Sequence, residues 1–208
     1  MEEKKIIFCL LGKSASGKDT LINMITSSNT NVSKLIPTTT RPKRKYEKTG
    51  WDYNFVSESN FMNRVENNKF MEHRKYDVIT SMNNHGVWYY GTEWPKSKVS
   101  ILTGPLEVYE KIKLAVLDSP DKSGEYDVIP IYIRVPEDER LYRMIRRECR
   151  NGKTHFRELA RRYVQDNKDF NEDYMKSLGI DESNTFENID KDVVVKQIND
   201  YINKYIEK

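Results

Sequence analysis

The first apolar run, Ile6-Ile7-Phe8-Cys9-Leu10-Leu11, is unbroken by any polar residue. A continuous run without alternation is the pattern of a strand covered on both faces. Residues 12–17 are small and polar, and Lys18 to Ser27 then reads as a helix with Leu21, Met24 and Ile25 facing inward. Strand, glycine-bounded loop and helix in that order begin a parallel α/β domain. Val99 to Thr103 is the next buried-strand candidate, and Leu106 to Leu117 is the helix after it. The stretch Asp118 to Glu125 holds a turn cluster, Asp-Ser-Pro-Asp-Lys-Ser-Gly. Val128 to Val135 follows as a strand, and Pro130 places its first residues at an edge or an entry, because proline cannot donate to a ladder. Pro136-Glu137-Asp138-Glu139 marks a helix start, with proline in the first turn and acids against the positive end of the dipole. Val194, Ile198, Ile202 and Ile206 recur every four residues, so the C-terminal segment predicts an amphipathic helix packed on the core.

From Thr38 to Thr92 the pattern changes. This stretch is rich in Thr, Arg, Tyr and Asn, with short strand-like pieces such as Tyr53-Asn54-Phe55-Val56, and reads as an inserted substrate-binding subdomain with its own small sheet. A length of 208 residues suits one α/β domain carrying such an insertion, and is short for two unrelated domains. Hydrophobic residues make up 37% and charged residues 32%, a soluble globular composition. No apolar run approaches the roughly 18 residues needed to span a bilayer, and the run at Ile6 is too short for a secretory signal; cytoplasmic location is the default expectation, with no membrane partner. The net charge of +3 is modest for a general nucleic-acid binder, so no nucleic-acid partner is expected. Cys9 and Cys149 lack CxxC spacing and read as reduced thiols, Cys9 in the first strand and Cys149 on a helix. His73, His85 and His155 are isolated, without metal-site spacing.

Gly12-Lys13-Ser14-Ala15-Ser16-Gly17-Lys18-Asp19-Thr20 fits the phosphate-loop pattern G-x-x-x-x-G-K, with aspartate where serine or threonine is usual. Glycines let the backbone curl so that N–H groups point inward at phosphate oxygens, and the following helix sets its positive end beneath them. Lys18 adds a mobile charge for the β and γ phosphates of ATP. The expected nucleotide contacts are therefore Gly12, Ser14, Ser16, Gly17, Lys18, Asp19 and Thr20. Asp19 has two readings: it serves Mg²⁺ directly or through water, or it caps the helix while nucleotide and water hold the ion.

The segment from Thr39 to Ser57 contains Thr39-Thr40-Arg41, Arg44, Glu47, Gly50, Asp52-Tyr53 and Phe55-Val56-Ser57. It resembles the guanylate kinase pattern T-T-R-x-x-R-x-x-E-x-x-G-x-D-Y-x-F-V-S without a gap. Phe70-Met71-Glu72 is similar to the family's F-x-E, and Tyr89-Tyr90-Gly91-Thr92 to its Y-Y-G-S/T. With the phosphate loop before and an arginine-rich lid after, the resemblance covers most of the chain. It implies an α/β fold of the P-loop nucleoside monophosphate (NMP) kinase type, a parallel sheet flanked by helices. One domain is expected, with a core of 1–34, 93–136 and 171–208, an NMP-binding insertion at 35–92 and a helical lid at 137–170. Arg41 and Arg44, three apart, can converge on one phosphate with bidentate bonds, and the hydroxyls of Tyr53 and Tyr90 can donate to it. The resemblance implies these four as the acceptor phosphate clamp, Glu72 as a contact to the guanine ring, and Thr92 as a further substrate-binding residue. The alternative for two arginines in a basic stretch is a solvated face or an RNA patch.

Departures from the family pattern concern the base. The family carries a serine four positions before the first clamp arginine, where Pro37 stands here; its I-L-D-x-D strand end is Ile101-Leu102-Thr103-Gly104-Pro105. Proline has no side-chain donor or acceptor, so part of the guanine contact set is absent or supplied elsewhere; Asn83, Asn84 and His85 have two readings, replacement polar contacts or turn residues. The acceptor expectation is GMP or dGMP, with a different monophosphate as the alternative.

Arg140, Arg143, Arg146, Arg147 and Arg150 follow Pro136, then Arg157, Arg161 and Arg162. Arg143 and Arg147 are four apart and share a helix face. The family resemblance makes this pair and a third arginine, Arg162 with Arg161 as its rival, close over the transferring phosphoryl group. The alternative pairs these arginines with Glu139, Glu148, Glu158 and Asp166 on solvated helices. The expected protein is a monomeric or homodimeric Mg-ATP-dependent kinase acting on a small-molecule monophosphate; the rivals are a non-catalytic guanylate-kinase-like module and a nucleic-acid-stimulated P-loop ATPase.

Overall fold

The computed structural model describes residues 4–79, 85–119, 124–150 and 156–207. Asn83, Asn84 and His155 lie outside the described residues, as do 120–123 of the turn cluster.

Five parallel strands form the main sheet: β1 (Lys5–Leu11), β2 (Ser33–Lys34), β7 (Val99–Thr103), β8 (Tyr126–Arg134) and β9 (Thr185–Glu187), in the order β2-β7-β1-β8-β9. The central position of β1 explains its unbroken apolar run. Ile6, Phe8 and Leu10 pack with α1 (Lys18–Ser28) and α7 (Lys191–Ile206), while Ile7, Cys9 and Leu11 pack on the other face with α3 (Leu106–Asp118). Leu21, Ile22 and Ile25 are the buried residues of α1; Met24, expected inward, is only partly buried, because Ile22 takes the place against the sheet. In α7 the expected stripe appears as buried Val194, Ile198 and Ile202, with Ile206 packed at its margin.

Pro130 occupies a stretch of β8 that pairs only with β1, since β9 joins β8 at Tyr132. Lys5 N–H donates to Glu125 O, a phase of the parallel ladder that turns Pro130's missing donor away from β1. The proline therefore costs no ladder bond.

A second sheet, ordered β4-β3-β6-β5, comes from β3 (Thr38–Thr39), β4 (Asn54–Phe55), β5 (Phe70–Ile79) and β6 (His85–Glu93). The antiparallel pair β5 and β6 is longer than the short pieces expected from the sequence. It places Glu72 opposite Thr92 and Arg74 opposite Tyr90. Between β4 and β5 lies α2 (Glu58–Glu66), capped by the Ser57 hydroxyl, which accepts from Asn60 N–H. Beyond β8 come α4 (Glu137–Arg150), α5 (Phe156–Asp169) and α6 (Glu172–Ser177). Cys9 is buried and Cys149 exposed on α4, as expected; burial pushes the Cys9 thiol up.

Candidate phosphate-transfer site

The loop after β1 turns sharply back on itself. Gly12 lies so close to β8 that a Cβ would sit 2.7 Å from Ile133 O. Gly17, with φ of +91°, is the N-cap of α1 and makes no side-chain cap bond, so the first amides of this helix are free of a side-chain cap. Asp19 is therefore not the N-cap; it sits exposed in the first turn. The Lys18 ammonium is folded into the loop and donates to Gly12 O, to Lys13 O at 3.1 Å and to Ser16 Oγ at 3.3 Å. Burial pushes its pKa down to about 8; Arg140 and Arg147 act in the same direction, against Asp19 and Asp166.

Two distant segments hold this loop. Asn188, buried after β9, donates from Nδ2 to Ser16 O at 2.8 Å, and its own N–H donates to Arg134 O. From α5, Asp166 accepts from Ser14 N–H at 2.8 Å and from Ser14 Oγ at 3.2 Å. Lys13 Nζ reaches Glu137 at 2.8 Å and Asn167 at 2.7 Å. Arg140, only 1% exposed, binds Asp166 and Glu137 and lies 4.3 Å from the centre of the Tyr163 ring. Burial works against ionisation of Glu137, but hydrogen bonds from Lys13, Arg140 and Tyr163 outweigh it and bring its pKa down to about 2. The sequence alone did not single out Asn188, and no local signal marks it.

On the other side of Lys18 lies a cleft of about 330 Å³ between the two sheets. Lys18, Tyr53, Tyr90 and Thr92 line it, together with Pro37, Thr103 and Pro105, the positions that depart from the family pattern. Tyr53 and Tyr90 meet edge to face, with ring centres 5.9 Å apart. Arg41 is 5% exposed, stacked near Tyr53 at 5.4 Å and Phe55 at 5.6 Å. Its guanidinium forms a two-pronged pair with Glu47, at 3.0 and 2.7 Å. Arg44 gives its backbone N–H to the same carboxylate at 2.7 Å, while its side chain is exposed. The structure thus brings Arg41, Tyr53 and Tyr90 together, and leaves the Arg44 side chain exposed outside the cleft lining.

Glu72 does not face this cleft. Its side chain is fully buried, accepting from Thr92 Oγ1 at 2.6 Å and from Arg74 Nε at 3.0 Å. A buried carboxylate requires donors on both oxygens, and these are the two the hairpin supplies. Arg74 and Thr92 are what the cleft meets instead.

Of the arginines expected to form the lid, Arg143, Arg161 and Arg162 are held by acids and backbone. Arg143 donates to Glu139 at 2.7 Å and to Asn188 O at 2.9 Å, beside a second cavity of about 450 Å³ bordered by Gly17 and Thr20. Arg162 pairs with Glu148 and Glu158 at 3.4 and 3.3 Å, and Arg161 with Glu158 at 2.8 Å. Arg147 is exposed, with its charge felt at Lys18. Partly exposed pairs of this kind are weak.

Comparison with known proteins agrees with this architecture. The sequence model described as guanylate kinase matches residues 3–92. A guanylate kinase of Bacteroides thetaiotaomicron is 41% identical over 141 residues, 68% of this chain and 64% of that protein. One from Thermotoga maritima is 39% identical over 66 residues, 32% of each chain. The matched stretch thus spans less than two thirds of either relative. One from Onion yellows phytoplasma is 27% identical over 172 residues, 82% of this chain and 74% of that protein. The crystal structure of a guanylate kinase from Anaplasma phagocytophilum shares the fold, with a TM-score of 0.60 over 99% of this chain and 88% of that one, at 20% identity. The phosphate loop, the gap-free block from Thr39 to Ser57 and these matches lead to one statement: residues 3–92 of the chain match the guanylate kinase family, and the fold over 99% of its length is that of a guanylate kinase structure.

Proposed function

We propose that this protein transfers the γ-phosphoryl group of Mg-ATP to GMP or dGMP. The observation that carries the reading is the position of Lys18, at the bottom of an uncapped helix N-terminus and at the edge of the cleft lined by Tyr53 and Tyr90. Donor phosphates on the loop and an acceptor phosphate beside the tyrosines would then meet at one ammonium group. The intact loop favours a kinase over a non-catalytic binding module of the same family.

Positioning and charge neutralisation carry such a reaction. The amides at the start of α1 hold the donor phosphates, and Lys18 turns from the loop carbonyls to the transferring group. Arg41 exchanges part of its Glu47 contact for the acceptor phosphate, which Tyr53, Tyr90 and Arg44 help orient. The acceptor is already anionic at neutral pH, so no strong general base is required. Arg143, Arg147 and Arg162 exchange acidic partners for phosphate oxygens as the lid closes and excludes water. Mg²⁺ would neutralise charge across the β and γ phosphates. Asp19 suits it: the carboxylate is exposed beside Lys18, and its charge is felt at both Lys18 and Tyr53, on the two sides of the transfer point. A single carboxylate completed by phosphates and water is an ordinary Mg²⁺ arrangement.

The division into a core, an acceptor-binding insertion at 35–92 and a lid at 137–170 fits this scheme. It is supported by the second sheet, whose strands run from Thr38 to Glu93, and by α4 and α5. Among the described residues, no helix is long and apolar enough to cross a membrane.

The test is ADP formation from Mg-ATP with a panel of ribo- and deoxyribonucleoside monophosphates and a no-acceptor control. GMP- or dGMP-dependent turnover supports the proposal. Turnover with another monophosphate alone shifts the acceptor. Turnover stimulated only by DNA or RNA, or none at all, overturns it.

A further inference from the structure

We infer that Arg74, rather than Glu72, reads the acceptor base, and that it does so by donating to the 6-oxo oxygen of a purine; this rests on the kinase reading above. Glu72 has no exposed side-chain surface and both of its oxygens are engaged, by Thr92 and by Arg74. Arg74 is itself nine-tenths buried, yet it lines the cleft between the sheets. Its planar group is fixed on several sides. Nε holds Glu72, Nη1 donates to Tyr76 OH at 3.0 Å, and the rings of Tyr76 and Tyr90 lie at 5.7 and 6.0 Å.

A guanidinium has five N–H donors and no acceptor. Pinned by a buried carboxylate, it stays charged and offers its remaining N–H groups in a set direction. On the opposite wall Pro37, Gly104 and Pro105 have no side-chain polar atom, and the Thr103 hydroxyl beside them can donate as well as accept, so it does not compete with Arg74. The site therefore presents donors to the base, and the complementary edge carries acceptors. The 6-oxo oxygen and N7 of guanine match a guanidinium in this way, whereas adenine places an amino donor at the same position. The guanine 2-amino group, a donor, meets no carboxylate here, because Glu72 is sealed behind Arg74 and Thr92, and a neutral hydroxyl such as that of Thr103 is the weaker acceptor left to it. Guanine and hypoxanthine, which differ only in that amino group, look alike to such a site.

The experiment compares kcat/KM for GMP, IMP and AMP in the wild type, Arg74→Met, Arg74→Lys and Glu72→Gln, with thermal melting to confirm folding. We expect wild-type IMP activity within about tenfold of GMP, and AMP at least about a hundredfold lower, the scale of a well-made guanidinium-to-base contact. Arg74→Met should lower GMP and IMP together by about 10- to 100-fold, leave AMP unchanged, and so collapse the oxo-over-amino preference; Arg74→Lys, with a donor retained, should recover part of it. A strong wild-type preference for GMP over IMP, abolished by Glu72→Gln while Arg74→Met keeps the GMP:AMP ratio, overturns the assignment. Calorimetric binding of the three monophosphates to wild type and Arg74→Met separates the two levels. Without phosphoryl transfer to any acceptor the kinase reading fails, and the binding ratio still decides whether Arg74 reads the base. If Arg74→Met does not melt as a folded protein, the Arg74→Lys ratios decide: wild-type ratios there, with lysine unable to reproduce the planar fork, refute the contact.

Discussion

Replacing Gly17 with alanine and Asn188 with alanine, singly and together, tests whether these two residues form one device that shapes the phosphate loop. At Gly17 a Cβ would stand 2.5 Å from Asn188 Nδ2, the atom that donates to Ser16 O at 2.8 Å. Gly17→Ala thus carries two costs. The left-handed φ of +91° costs an L-residue about 1 kcal/mol. Displacing Asn188 strands the Ser16 carbonyl, at about 2 kcal/mol for a buried acceptor left unpaired. Asn188→Ala carries the second cost alone, about 2 kcal/mol. In the double variant the bond can be lost only once and alanine's methyl has room. It should therefore be destabilised by about 3 kcal/mol rather than the additive sum of about 5, a coupling near 2 kcal/mol. Urea unfolding with a common m-value measures all four corners of the cycle. Additivity within about 0.5 kcal/mol would show that the two residues do not share this contact, and the account of the loop would fall with it.

Other expectations concern the charges. Lys18→Ala and Arg41→Ala should each lose at least about tenfold in turnover, roughly 1.4 kcal/mol of transition-state stabilisation; steady-state kinetics with near-wild-type rates in either would contradict the assigned roles. Asp19→Ala should weaken the magnesium dependence of turnover, read from a titration at fixed ATP; an unchanged titration removes the metal role. Glu137, with a folded pKa of about 2 against an ordinary 4.5, contributes stability that is present above 4.5 and lost as pH falls through about 2. Glu137→Gln should therefore lower stability at neutral pH, with the gap to wild type closing on acidification. A gap that persists unchanged at pH 2 would mean that the carboxylate's charge is not what binds Lys13 and Arg140.

Much of the framework is legible in the chain itself. Ile6 to Leu11 predicts a strand covered on both faces because every position is apolar, and β1 is the middle strand of its sheet. Pro136 and the acids after it predict the start of α4, and the four-residue recurrence of Val194, Ile198 and Ile202 predicts the buried stripe of α7. These signals are local: periodicity, capping and turn chemistry act within a few residues. Elements with weak local signals were harder to read. The strands β2 and β9 have two and three residues, and exist because the sheet edge provides ladder partners.

The candidate site divides in the same way. Its inventory, from Gly12 to Thr20 and from Arg41 to Thr92, was determined by contiguous sequence, because a phosphate loop and a phosphate clamp need particular residue types at short, set spacings. Its wiring was decided by the tertiary structure. Ser14 meets Asp166 across 152 positions, and Ser16 meets Asn188 across 172. Glu72, expected to face the base, is sealed by Thr92 and Arg74 because β5 and β6 pair in the register that brings them together. A charged side chain seeks whichever partner burial leaves within reach, and that partner depends on distances in space that no spacing along the chain encodes.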